Sequence, residues 1–112
     1  MRKTTYKEFN RYTIYGNKFY YFSAEEGYEY QKDGIRFYIR KDDDEWNVSV
    51  EIGVRICRCT SYKEAINIIR SLDIQNVLLP AMEKGKEFIE SHRDEIVDEE
   101  VVLRFKERCR IG

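Results

Sequence analysis

From Trp46 onward, apolar side chains occupy every second position: Trp46, Val48, Val50, Ile52, Val54 and Ile56, with polar Asn47, Ser49, Glu51 and Arg55 between them. A period of two is that of a strand burying one face. Gly53 interrupts the run and marks a bulge. The period then changes. Thr60-Ser61-Tyr62-Lys63-Glu64 places a serine at a helix N-cap and a glutamate three residues on, the reciprocal pair that satisfies free amides at a helix start. Tyr62, Ala65, Ile66, Ile69 and Leu72 follow at helical spacing, and Ile68 widens the apolar face. A long half-buried strand therefore runs straight into a helix that lies on the sheet.

Upstream, the aromatic and β-branched runs Tyr12–Tyr15 and Phe19–Phe22 flank Gly16-Asn17, the pattern of a tight hairpin. Ser23 to Gly27 breaks the second of these strands. A second hairpin joins Tyr28-Glu29-Tyr30 to Ile35–Ile39 through Asp33-Gly34, residues that tolerate positive backbone angles. Four adjacent acids, Asp42 to Glu45, belong in a solvated turn because like charges repel. Residues 1–8 read as a flexible lead-in.

Downstream, Pro80 suits the first turn of a second helix, where a missing amide hydrogen is no loss, and Met82, Gly85, Ile89, His92 and Ile96 share one face. The tail fits two periods. Val101, Leu103, Phe105, Cys109 and Ile111 fit an alternating strand, whereas Val97, Val101, Phe105 and Cys109 keep a helical stride of four. Its β-branched content favours the strand, which would line Arg104, Lys106, Arg108 and Arg110 along one face. The fold class expected is α+β, an antiparallel meander of four to five strands packed on one face by two α-helices, in a single domain over residues 1–112.

Composition adds limits. The 112 residues hold 20 lysines and arginines against 21 acids, so no net basic or acidic field draws a partner and charge must act through a patch. No apolar stretch approaches the ~20 residues that cross a bilayer, which argues against a membrane partner, and the first residues lack a secretory pattern. Three cysteines without an export signal favour reduced thiols and a cytoplasmic setting.

Cys57, Cys59, His92 and Cys109 are numerically enough for a tetrahedral zinc site, and thiols two apart on a strand point the same way. The set lacks the two close ligand pairs usual in structural zinc sites, so packing explains these residues more simply and no cofactor is expected. A thiol enzyme built on His92 and a cysteine is an alternative with no catalytic signature behind it. Ser91, His92 and Asp94 include triad residue types but, as helix neighbours, diverge by about 100°. No phosphate-cradling loop or small-molecule site is evident.

The remaining candidate is the face opposite the helices. If Ile35, Phe37 and Ile39 face inward, Arg36, Tyr38, Arg40 and Arg55 face outward. Such arginine and tyrosine mixtures anchor protein partners or stack single-stranded nucleic acid. The function expected is therefore that of a small, non-catalytic accessory or regulatory protein, of the kind viruses and plasmids encode. It would bind a protein, in the simplest case a second copy of itself, with single-stranded nucleic-acid binding as the alternative.

Overall fold

The computed structural model describes residues 2–14 and 17–111, excepting the side chains of 14, 17, 52, 105 and 109–111. Five strands form one antiparallel sheet in chain order: β1 (Arg2–Ile14), β2 (Asn17–Lys32), β3 (Ile35–Asp42), β4 (Glu45–Val50) and β5 (Val54–Cys59). Helices α1 (Tyr62–Ser71), α2 (Leu79–Ser91) and α3 (Glu99–Ile111) follow. The α+β meander read from the sequence is the fold observed, with a third helix added.

The central strands carry the core. Phe37 and Ile39 of β3 and Val48 and Val50 of β4 meet Ala65 and Ile69 of α1, and Leu78 completes the cluster. Burying each of the larger side chains removes enough apolar surface to contribute roughly 1.5–3 kcal/mol. Asp33 and Gly34, with φ of 51° and 78°, make the turn their residue types favour, and Asp43 at 54° turns the acidic segment. Ser61 caps helix α1 as expected, its Oγ accepting the Glu64 amide at 3.1 Å, while the Glu64 carboxylate reaches one residue past the cap to accept the Thr60 amide at 3.0 Å and hydroxyl at 2.7 Å. Those Thr60 contacts hold the Glu64 carboxyl below its usual range. At the other end Lys32 Nζ donates to the carbonyls of Ile69, Arg70 and Leu72 at 3.0, 2.8 and 3.3 Å, placing positive charge on the negative pole of α1. A π-helical turn, Ile74–Leu78, leads into α2, whose start carries Pro80. Gly85 lets α2 lie flush on β5, since a Cβ there would stand 2.7 Å from Val54 Cγ2.

The run from Trp46 to Ile56 is two strands, not one. A 3₁₀ turn over Glu51–Gly53 reverses the chain, with Gly53 at φ +69°. The glycine is required twice, because a Cβ at Gly53 would also stand 2.5 Å from the Phe9 amide nitrogen. A register shift follows: Ser49 pairs with Arg55 but Val48 pairs with Cys57, so the odd-numbered Cys57 and Cys59 take over the face shared with Val48 and Trp46.

Residues 2–8 are not a flexible lead-in. They form the first half of β1, paired from Arg2↔Glu29 to Glu8↔Ser23. Nor does Ser23–Gly27 break β2, which continues through it. Instead β2 parts from β3 there: their pairing ends at Tyr28↔Ile39, and at Gly27 a Cβ would stand 2.8 Å from the Ile39 carbonyl oxygen. Beyond this corner the β1–β2 hairpin curls over β3, stacking Tyr6 on Tyr38 at a centroid distance of 4.3 Å.

The tail is helix α3 rather than a strand. Asp98 Oδ1 accepts the Glu100 amide at 2.9 Å, Arg104 pairs with Glu100 one turn away at 2.6 Å, and Val102 is buried. The Glu100–Arg104 pair joins side chains four residues apart, which a helix brings together and a strand does not, and burial of Val102 adds to it. Ahead of α3 the chain meets the far edge of β2: Tyr20 forms a single parallel bridge with Ile96, and the Val97 amide donates to Tyr20 O at 2.7 Å.

Gly53→Ala is expected to lower stability by about 3 kcal/mol, combining left-handed strain with the collision against Phe9. Gly34→Ala, at a site with open space around the added carbon, should lose only about 1 kcal/mol. Urea unfolding of the two variants side by side checks the difference.

Candidate functional site

The arginine and tyrosine face is not an open face, and this corrects the expectation for Tyr38 and Arg40. Tyr38 is only 6% exposed, because the β1 ring of Tyr6 lies against it with planes 14° apart. Burial pushes both phenols above their usual range and keeps them neutral. Arg40 is clasped between Glu8 of β1 at 3.3 Å and Glu25 of β2 at 3.1 Å. Arg36 and Arg55 remain exposed, Arg55 across from Ser49, while Arg36 bonds Glu29 on the neighbouring strand and rides 5.8 Å above the Tyr38 ring. The four residues therefore do not act as one surface.

The basic stripe is dispersed by the helical tail. Arg104 turns to Glu100, Lys106 Nζ lies 3.6 Å from the centre of the Tyr12 ring, Arg108 is exposed, and the side chain of Arg110 lies outside the described residues. Successive even positions on a helix rotate by about 200°, so Lys106 is carried to the side away from Arg104 and Arg108.

Cys57 and Cys59 lie together at the core edge. Burial above all, and then the neighbouring Cys59, pushes the Cys57 thiol up to about 11, while burial and Glu64 raise Cys59. Both are held as thiols, the form that is poorly nucleophilic and must lose a proton to bind metal. His92 packs elsewhere, stacked on Phe88 at 4.1 Å and beside Tyr20 at 5.2 Å. The Cys109 side chain lies outside the described residues, and among those described no group of three or more histidines, cysteines or acids could hold a metal ion. Ser91 and His92 come closer than helix neighbours were expected to, 3.0 Å from Oγ to Nδ1, because His92 leaves the helical conformation at the end of α2. Yet Nδ1 also lies 2.8 Å from the Phe88 carbonyl, and Nε2 lies 3.8 Å from a Glu95 carboxylate oxygen. A nitrogen that donates to a carbonyl cannot serve as base for the serine.

A concavity lies where the curled hairpin faces α2. A cleft of about 760 Å³ opens between Thr5, Tyr6 and Lys7 of β1 on one wall and Lys86, Ile89 and Glu90 of α2 on the other, with Arg36 and Tyr38 also lining it. Its size is that of ligand-binding clefts generally. Lys7, Arg36 and Lys86 bring three positive charges to it, against Glu51 and Glu90. Lys7 and Phe22 also border a second hollow of about 590 Å³, whose far side carries Asp98, Glu99 and Glu100 at the start of α3. Lys7 and Phe22 thus stand between a mixed, cation-bearing hollow and an acidic one. Of the residues around the cleft, Arg36 and Tyr38 were identified from sequence; Tyr6, Lys7 and Lys86 were missed. The strand propensity of Thr4-Thr5-Tyr6 was the available clue to the first two.

No family model, curated protein or solved structure matches the chain. No helix among the described residues is long and apolar enough to cross a membrane.

Two measurements probe this region. Arg40→Met leaves Glu8, 7% exposed, without its counter-charge and should cost about 3 kcal/mol, most of it recovered in Arg40→Met/Glu8→Gln; chemical denaturation gives both values. The raised Cys57 pKa sets an alkaline limit. Its contribution to stability is intact below the unfolded thiol value near 9 and is lost as pH climbs toward about 11. The fall in unfolding free energy between pH 9 and 10 should therefore be smaller in Cys57→Ala than in the parent chain.

Proposed function

We propose that this chain is a non-catalytic binding module whose partner is a protein held in the cleft between β1 and α2. The observation that carries the reading is the composition of that cleft: a strand edge, an aromatic floor of Tyr6 on Tyr38, and Lys7, Arg36 and Lys86 around it. Tyrosine and arginine pre-ordered on a rigid sheet lose little conformational freedom when a partner docks, which is why such residues dominate interface energetics. The groups that would carry chemistry are committed otherwise, Cys57 and Cys59 as buried thiols and His92 to a backbone carbonyl.

Lys7 and Lys86 are both exposed, so reversing their charge leaves the core untouched. Affinity capture with the parent chain should retain a protein that Lys7→Glu/Lys86→Glu, folded by circular dichroism, retains at least tenfold less. Equal recovery by both chains removes the cleft from the function.

A further inference from the structure

Thr5, Tyr6 and Lys7 are consecutive residues of a strand, so their side chains point alternately to opposite faces, yet all three line the same cleft. Contact with residues from both faces of β1 is what a cleft running along the edge of the strand would make. Strand β1 stands at the end of the sheet order, with β2 as its one partner strand. Farther along, the edge is sealed where Phe9 meets Gly53 of the turn between β4 and β5. At Thr5 to Lys7 the strand borders the cleft, which Lys86, Ile89 and Glu90 of α2 also line.

We propose that this edge takes an extended acidic peptide as an added strand; the proposal rests on the reading of the cleft as a protein-binding site and names the chemistry of the partner. Three observations select the occupant. First, β1 carries Arg2, Lys3, Lys7 and Arg11, all exposed, while its single acid, Glu8, is turned inward to Arg40. Lys86 adds a charge from the opposite wall. A second copy of β1 laid against the first would set cations beside cations, so charge disfavours the homodimer and favours an acidic segment. Second, an edge strand offers amides and carbonyls in alternation, which a peptide backbone matches and a phosphodiester backbone does not. Third, Tyr6, stacked on Tyr38, gives an apolar seat on the face of β1 opposite Lys3 and Lys7. Alternate side chains of an added strand face opposite sides, so a peptide alternating acidic and apolar residues satisfies both.

The test is a titration of isotope-labelled protein with a capped ten-residue peptide alternating glutamate and valine, followed by amide NMR. The expected result is saturable binding with the largest shifts at residues 3–7. N-methylation of alternate peptide amides should weaken binding at least tenfold, Lys86→Glu roughly fivefold, and a lysine-valine peptide should not bind. Thr5→Pro, which removes an edge amide, should lose binding, and the N-methylated peptide asks the same question without altering the fold. No binding of the glutamate-valine peptide at millimolar concentration overturns the proposal, as does equal binding of the N-methylated form, which would reduce the effect to charge. Tighter, salt-sensitive binding of a ten-nucleotide oligothymidylate at the same amides also overturns it. If the peptide fails while the captured protein still depends on Lys7 and Lys86, strand addition falls and the binding cleft stands. If both fail, the two readings fall together.

Discussion

Arg40 carries a positive charge into the layer between β3 and the curled hairpin, and the molecule tolerates it there because two strands each bring a carboxylate, Glu8 from β1 and Glu25 from β2. A charge removed from water is destabilising unless it is paired. The layer therefore assembles only when both arms of the hairpin arrive in register. A slip of one residue would turn Glu8 outward and send Lys7 or Phe9 toward Arg40. Tyr6 on Tyr38 adds dispersion and ring contact to the same arrangement, but the charged trio makes it selective.

The cleft is a by-product of this closure. Because the hairpin bends at Gly27, its outer edge swings round toward the turn between β4 and β5, touching at Phe9 and Gly53 and staying open toward its N-terminal end. The same bend carries Phe9, Tyr20 and Phe22 to the C-terminal end of α2. There Phe88 packs edge-on against Phe9 and Tyr20 at 5.8 and 5.4 Å. Helix α2 is thus gripped twice, by the sheet at Gly85 and by this aromatic group, and it forms a firm wall opposite β1.

Much of the architecture was legible in the residues. Alternation from Trp46 to Val50, the Asp33-Gly34 turn and the Ser61–Glu64 cap are local patterns with local causes, and each stands where the sequence places it. What escaped was non-local. Gly53 turns the chain instead of bulging it, and Phe9, far earlier, occupies the space a side chain there would need. Tyr6 and Glu8 alternate like any solvated strand, and nothing near them in sequence announces Tyr38 or Arg40 as partners. Hence the candidate surface was read as open when the chain covers it with its own first strand. The tail satisfied two periods at once, and the Glu100–Arg104 pair was the neglected local term that decides between them.

The single bridge between Tyr20 and Ile96 also bears on the order in which the chain matures. Each hairpin of the meander joins neighbours in sequence and can close as soon as its second strand has emerged from the ribosome. The Tyr20 carbonyl, by contrast, must wait for the amide of Val97, more than half the chain later. Until then that stretch of β2 lacks this clasp on its far side, and the aromatic cluster around Phe9 lacks Phe88. Completion of this side of the sheet therefore waits for the segment around Ile96 and Val97, which clasps β2 from outside.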